Sequence, residues 1–406
     1  MSKFFDVIAS RLAAVRATRT PIGLSRTFRC ACGQPVFLGN RSCVTCHAPL
    51  GFDPELLEVR ALIPAETPDT WRLAARGDAE DVAQDPFVDP SIALTATFRR
   101  CGNFDTPAVC NWLVPTVDAD RFCVACRLNR MIPDLSIPDN PERWHKLEIS
   151  KRRLVAQLLT LGLEVRGQRR PGDGGLAFDL IGPDMNGKLP MTGHDNGLIT
   201  INVLEADDAY RAKLREEMGE PYRTLLGHFR HEVGHYYWDH LVLPTPWLTS
   251  FREVFGDERQ DYGEALKRNY ENGPPADWAQ RFISTYAACH PWEDWAETWA
   301  HYLHMMDTLD TALNLGISTR AVERDYVSFE RDVLYAPDAP DADSFLDLVN
   351  AWVELTGVMN ELSRSMGQRD FYPFVLPHAV VGKLQFVHRV VKAHSVESSA
   401  PAIPVF

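Results

Sequence analysis

The stretch Phe229-Arg230-His231-Glu232-Val233-Gly234-His235-Tyr236-Tyr237-Trp238 holds two histidines four residues apart. It lies in a segment of helical character that Pro221 opens and that runs to about Leu241. Proline suits a first helical turn because its missing N–H would have no partner there. On a helix, residues four apart share one face one turn apart, so His231 and His235 present their rings together. Glu232 follows the first histidine and projects beside it. Hydrolytic zinc chemistry needs this set: imidazole ligands on a rigid element, one open coordination position, and a carboxylate that takes a proton from the attacking water and passes it to the leaving amine. Gly234 lets a second backbone approach closely. With 13 His in 406 residues, chance matches to such a motif number on the order of a few hundredths. His228 and His240 read as surface or supporting histidines.

Two histidines need a third protein ligand. The segment from Pro291 to His304 (Pro-Trp-Glu-Asp-Trp-Ala-Glu-Thr-Trp-Ala-His-Tyr-Leu-His) supplies candidates. Trp292, Trp295, Trp299 and Met306 form one helical stripe, and Glu293, Glu297, His301 and His304 form another. Carboxylates one turn apart among tryptophans are costly to bury without a cation. Glu293 is the preferred ligand, with Glu297 accepting a hydrogen bond from a liganding imidazole. Glu297 as the ligand, or a histidine (His290 or His301), stays open. A tetrahedral intermediate also needs an oxyanion donor. Tyr286 is the first candidate and His290 the second, while Cys289 beside them reads as a buried hydrophobe.

Outward from this core, Leu147 to Leu159 follow helical spacing from Trp144 onward, and 177–181 and 197–203 read as strands. Helical segments are expected at about 256–271, 276–289, 291–313, 342–366 and 377–393. Eight of the nine cysteines lie between Cys30 and Cys126. Close cysteine pairs without a secretion signal read as metal ligands rather than disulfides. Cys30, Cys32, Cys43 and Cys46 make one closed structural zinc site; Cys101, Cys110, Cys123 and Cys126 make a second with looser spacing. His47 could replace a cysteine in the first set, but four are already available, and the surroundings of neither Cys-x-x-Cys suggest a redox pair.

The run Phe229 to Trp238, together with Phe255-Gly256-Asp257-Glu258 and His290 to Tyr302, resembles the bacterial zinc-binding metallopeptidases that carry an N-terminal zinc ribbon, and more broadly the gluzincins, whose third ligand is a glutamate. The resemblance covers roughly residues 28–393. It implies that His231, His235 and Glu293 bind zinc and that Glu232 is the base. It also implies an edge strand, matched by Gly197 to Leu204, that pairs with extended substrate. The separation of His235 from Glu293 exceeds that of the compact thermolysin-like arrangement and reads as an insertion.

Net charge is -13 with a pI near 5.5, which repels phosphate backbones, so nucleic acid is a poor partner. Arg41, Arg99, Arg100, Arg121 and Arg127 give the ribbon region local positive charge, which suits a structural or protein-docking role. No apolar run is long enough to span a membrane. Arginines follow rather than precede the apolar Phe4 to Ala9, the wrong order for a secretory signal, and residues 1–20 read as a short basic amphipathic helix or loose extension. The expected organisation is an α+β chain: an extension over 1–27, a zinc-ribbon region with two four-cysteine sites over 28–135, a Pro-rich linker, a mainly helical zincin-like metallopeptidase domain with a small β-sheet over 142–393, and a disordered tail over 394–406. The expected function is a cytoplasmic zinc peptidase with one catalytic and two structural zinc ions and a peptide or protein substrate. The alternatives are an inactive zinc-dependent protein-interaction module, or an amide or isopeptide hydrolase using the same site.

Overall fold

In the cysteine-rich segment, short polar runs alternate with pairs of apolar residues, a pattern that builds strands and knuckles rather than helices. A computed structural model of the protein describes residues 28–75, 96–170, 172–217, 222–317 and 327–395. The expectations for residues 1–27 and for the tail beyond Ser395 lie outside the described residues. Strands β1 (Phe28–Arg29) and β2 (Pro35–Val36) form a small antiparallel pair. Strands β3 (Leu50–Asp53), β4 (Glu58–Pro64), β5 (Trp71–Leu73), β6 (Phe98–Arg100) and β7 (Leu113–Pro115) then form an antiparallel meander in chain order. Leu62, Leu73, Phe98 and Leu113 make its core.

A mixed sheet follows. β8 (Asn129–Met131) pairs in parallel with β9 (Ala177–Ile181), after helix α1 (Asn140–Thr160). β10 (Gly193–Asp195) and β11 (Leu198–Asn202) form a hairpin through Asn196-Gly197, both at positive φ, the residue pair a tight mirror-image turn requires. The order is β10-β11-β9-β8. The strand expected at the edge, β11, is therefore an inner strand, held antiparallel by β10 and parallel by β9. β10 is the edge.

Helices carry the remainder: α2 (Asp208–Glu217), α3 (Leu225–Leu241), α4 (Trp247–Val254), α5 (Tyr262–Asn272), α6 (Trp278–Arg281), α7 (Pro291–Asn314), α8 (Ala342–Ser365) and α9 (His378–His394). α3 starts at Leu225, not at Pro221, which lies outside the described residues. Thr224 is extended and its hydroxyl accepts from Gly227 N–H, so the cap sets the start. The helix expected from about 256 begins only at Tyr262, because Asp261 caps it through Glu264 N–H. The one expected over 276–289 shrinks to α6, and beyond its end Ser284 Oγ accepts from Ala287 N–H and turns the chain.

The described chain divides into two compact units. One holds the chain up to Leu159 with Val165–Leu214; the other holds Thr160–Glu164 with the chain from Arg215 onward. Within the second, α3 is buried along most of its length, which makes it a central helix. α7 packs against it through Trp295 and Trp299, both fully buried. Gly234 makes the approach close. A Cβ there would lie 3.1 Å from the Ala296 Cα and 3.1 Å from Trp299 Cδ1. Trp295 Nε1 donates to the Gly234 carbonyl at 2.8 Å, and Tyr237 stacks on Trp299 at 5.0 Å. The buried Arg230–Asp307 pair at 2.8 Å ties the same helices further along, and Lys383 on α9 reaches buried Asp294 at 2.6 Å.

Gly234→Val forces branched bulk between two backbones. Overpacking of this kind costs about 1–3 kcal/mol, so chemical denaturation should show a loss of that size and bound zinc should fall with it. Unchanged stability and metal content would refute the close-approach role.

Candidate metal centre

His231 and His235 sit one turn apart on α3, and Glu293 sits in the first turn of α7. Their ligand atoms all lie within 4.8 Å of one another. His231 Nε2 is 3.0 Å from Glu293 Oε2, and His235 Nε2 is 3.5 Å from the same oxygen. Tetrahedral donors about 2.1 Å from a zinc ion stand roughly 3.4 Å apart, so this spacing suits a shared ion.

Protonation strengthens the fit. His231 Nδ1 lies 2.7 Å from Glu297 Oε1. A carboxylate only accepts, so Nδ1 carries a proton, which leaves Nε2 as the nitrogen that a metal would take. Glu293 Oε2 is buried and accepts no hydrogen bond. A buried acceptor facing two imidazoles calls for a cation, and three converging donors exceed what one proton can satisfy. Burial alone would raise the Glu293 carboxyl, but the neighbouring histidines hold it well below its ordinary range. Burial likewise works against Glu297, yet His231, His301 and Ser284 bring it down to about 2. Both acids stay ionised and ready for a metal.

Each remaining carboxylate oxygen has a partner. Tyr262 donates to Glu293 Oε1 at 2.6 Å, and Ser284 donates to Glu297 Oε2 at 2.6 Å. Trp292, half-buried, lies over His235 with ring centroids 3.8 Å apart. Glu232 is 8% exposed beside the two histidines.

The other sequence candidates take varied places. The Tyr286 ring is 5.9 Å from that of His231, and its hydroxyl adjoins that of Tyr262. His290 is the N-cap of α7: Nδ1 accepts from Trp292 N–H, and Nε2 donates to the Gln260 carbonyl. With both nitrogens committed, His290 neither joins the cluster nor offers a proton to it. His301 turns Nδ1 to the Tyr372 hydroxyl at 2.7 Å and is outside the cluster. Cys289 is buried, and burial raises its thiol. His240 packs on Tyr236, and His228 is half-buried outside the cluster. Reasoning from sequence passed over Tyr262 and Ser284, which lie 31 and 13 residues from the acids they hold, with no motif linking them.

Two cysteine sets also converge: Cys30, Cys32, Cys43, Cys46 and Cys101, Cys110, Cys123, Cys126. None forms a disulfide. The Cys30–Cys46, Cys32–Cys43 and Cys110–Cys123 sulfur pairs stand 3.5, 3.6 and 3.7 Å apart. Four thiolates about 2.3 Å from one zinc stand roughly 3.8 Å apart, so this donor set fits that ion. Gly33 turns the first knuckle at φ +87° and His47 the second at φ 59°, with the His47 side chain exposed and outside the set. The second set is wholly buried. Arg152 on α1 lies near it; burial opposes the Arg152 charge, but Cys110, Glu148, Cys126 and Cys123 support it. A buried cation offsets the negative charge that four thiolates leave on a divalent ion.

Among the described residues, no helix is long and apolar enough to cross a membrane. The chain matches the zinc-ribbon domain model over residues 27–137 and the model described as "Putative zinc-binding metallo-peptidase" over residues 140–390. It is 39% identical over 368 residues to an uncharacterized protein of Mycobacterium tuberculosis, covering 90% of this chain and 95% of the relative. An uncharacterized protein of Mycobacterium bovis matches with the same identity and coverage. No solved structure matches the chain. By the extent of the 140–390 match, the chain belongs to the family so described, with a zinc-ribbon domain at its N-terminal side.

Proposed function

We propose that the protein hydrolyses peptide bonds at a zinc site held by His231, His235 and Glu293, with Glu232 as the base. One observation carries the reading: three donor atoms converge within 4.8 Å while Glu297 occupies the far nitrogen of His231. Bound there, zinc supplies Lewis-acid polarisation of the scissile carbonyl and lowers the pKa of water.

The side chains do the rest. Glu297 holds the His231 ring in the tautomer that leaves Nε2 free, and Trp292 packs on His235. Glu232, beside the first histidine, takes the proton of the attacking water and delivers it to the departing amine. Tyr286 offers its hydroxyl to the developing oxyanion; burial, with the charge of Glu293 next, pushes its pKa far above the ordinary tyrosine value, so it stays a donor. His290 drops out of this role because its nitrogens serve the α7 cap. The two four-cysteine sets are proposed as structural zinc sites, giving one catalytic and two structural ions per chain. The substrate proposed is a peptide or protein, with the ribbon as a docking surface for a protein partner.

Glu232→Gln keeps the shape and loses the base. Tested on a complex peptide library against wild type, it should retain its zinc and lose turnover by at least 100-fold, the lower range of general-base effects, which run about 10²–10⁴. Equal cleavage by both proteins would sink the mechanism. Tyr286→Phe should lower kcat by about 10²–10³, as removal of an oxyanion donor does, with KM little changed. A rise in KM at constant kcat would instead assign Tyr286 to ground-state binding.

A further inference from the structure

The chain between His235 and Glu293 makes a long excursion through α4, α5 and α6 before it returns to the site. Several side chains from this excursion come back to the site, and Tyr262 is the one that bonds to Glu293. Tyr262, the first residue of α5, donates its hydroxyl to Glu293 Oε1 at 2.6 Å. Its ring packs edge-on against His290, at 5.3 Å, and against Trp292, at 6.0 Å. These residues flank the start of α7, and Trp292 also covers His235. α5 is itself anchored at this end, since Asp261 caps it through Glu264 N–H.

The two Glu293 oxygens thus have different surroundings. Oε2 faces the imidazoles and accepts no hydrogen bond. Oε1 is held by a phenol. A carboxylate free to rotate can offer a metal one oxygen or both. A donor fixed on one oxygen favours the single-oxygen mode and keeps the remaining coordination position open. We infer that Tyr262 is the positioning residue for the third ligand: it restrains Glu293 to bind metal through Oε2 alone. The inference rests on the metal site proposed above. The excursion adds no ligand to the histidine–glutamate triad, and returning this hydroxyl to the site is one of the things it does. The Tyr262 hydroxyl bonds to Glu293 and adjoins that of Tyr286. Its effect passes through Glu293, so it is not a catalytic residue.

The test is Tyr262→Phe in the full-length protein, because the ring is retained and only the hydroxyl is lost. Tyr262 is 38% exposed, which makes this exchange mild for the fold. Zinc and cobalt serve as probes. Metal specific to the site is the part that wild type holds and His235→Ala lacks, measured by chelator competition and by the cobalt difference spectrum between the two, which subtracts the cysteine sites. Loss of a group that orients a ligand weakens metal affinity by about 10–100-fold. Tyr262→Phe should show a loss in this range. Its cobalt difference bands should weaken as Glu293 turns both oxygens to the metal and coordination number rises. Thermal melting of the metal-free protein should stay at the wild-type value. Wild-type affinity together with a wild-type cobalt spectrum in Tyr262→Phe would overturn the inference and leave the site itself standing. If wild type and His235→Ala hold the same amount of metal, the underlying metal site fails and the inference goes with it. If Tyr262→Phe melts lower, Tyr262→His, which restores a donor on a smaller ring, decides: recovered affinity supports the positioning role, and continued loss refutes it.

Discussion

The close approach of α3 and α7 at Gly234 is the contact on which the centre depends. The histidines lie on one helix and the glutamate on the other, so the helix separation sets the distance between donors. Side chains of ordinary size at the crossing would hold the axes further apart. Gly234 lets the Ala296 backbone and the Trp299 ring come within 3.1 Å of where a Cβ would stand. The Trp295 indole bonds to the Gly234 carbonyl, which fixes how far the helices slide along each other as well as how close they lie. Further along the same pair, Arg230 and Asp307 form a buried ion pair, and breaking such a pair from one side costs about 3–5 kcal/mol. The geometry of the cluster is therefore inherited from the packing of the second unit.

Within that frame, the two acids of α7 occupy unlike positions. Glu293 presents one bare oxygen to the imidazoles, and Glu297 has both oxygens engaged, by His231 and Ser284. This difference favours Glu293 as ligand and Glu297 as supporter. It follows from the 3.6-residue turn: the second acid sits one turn further along, level with the Nδ1 side of the His231 ring. Burial opposes every charge in such a cluster, so a metal bound there would add to the stability of the helix pair.

Much of this was legible in the sequence because it is local. The spacing of His231 and His235, the stripe of Glu293 and Glu297 and the close pairs Cys30/Cys32, Cys43/Cys46 and Cys123/Cys126 lie within single turns or knuckles, where spacing translates into geometry. The role of Gly234 could be read for the same reason. Less local features escaped. Tyr262 and Ser284 reach the acids through tertiary packing, and nothing in their neighbourhoods marks them. The start of α3 was misplaced because Thr224 offers a cap that outweighs the proline signal. The helix expected over 276–289 gave way to a turn at Ser284. β11 looked like an edge until the hairpin at Asn196-Gly197 supplied its neighbour. His290 stood beside the site in sequence, yet the α7 terminus, whose first N–H groups need acceptors, claims it.

A metal ion held between α3 and α7 would be observed directly by anomalous diffraction at the zinc edge from crystals of the zinc-loaded protein. The expected map has one peak bonded to His231 Nε2, His235 Nε2 and a single oxygen of Glu293, in addition to one peak in each cysteine set. An empty position between the helices in a map whose cysteine sets are filled would contradict a metal centre here. So would a peak bonded to Glu297 in place of Glu293.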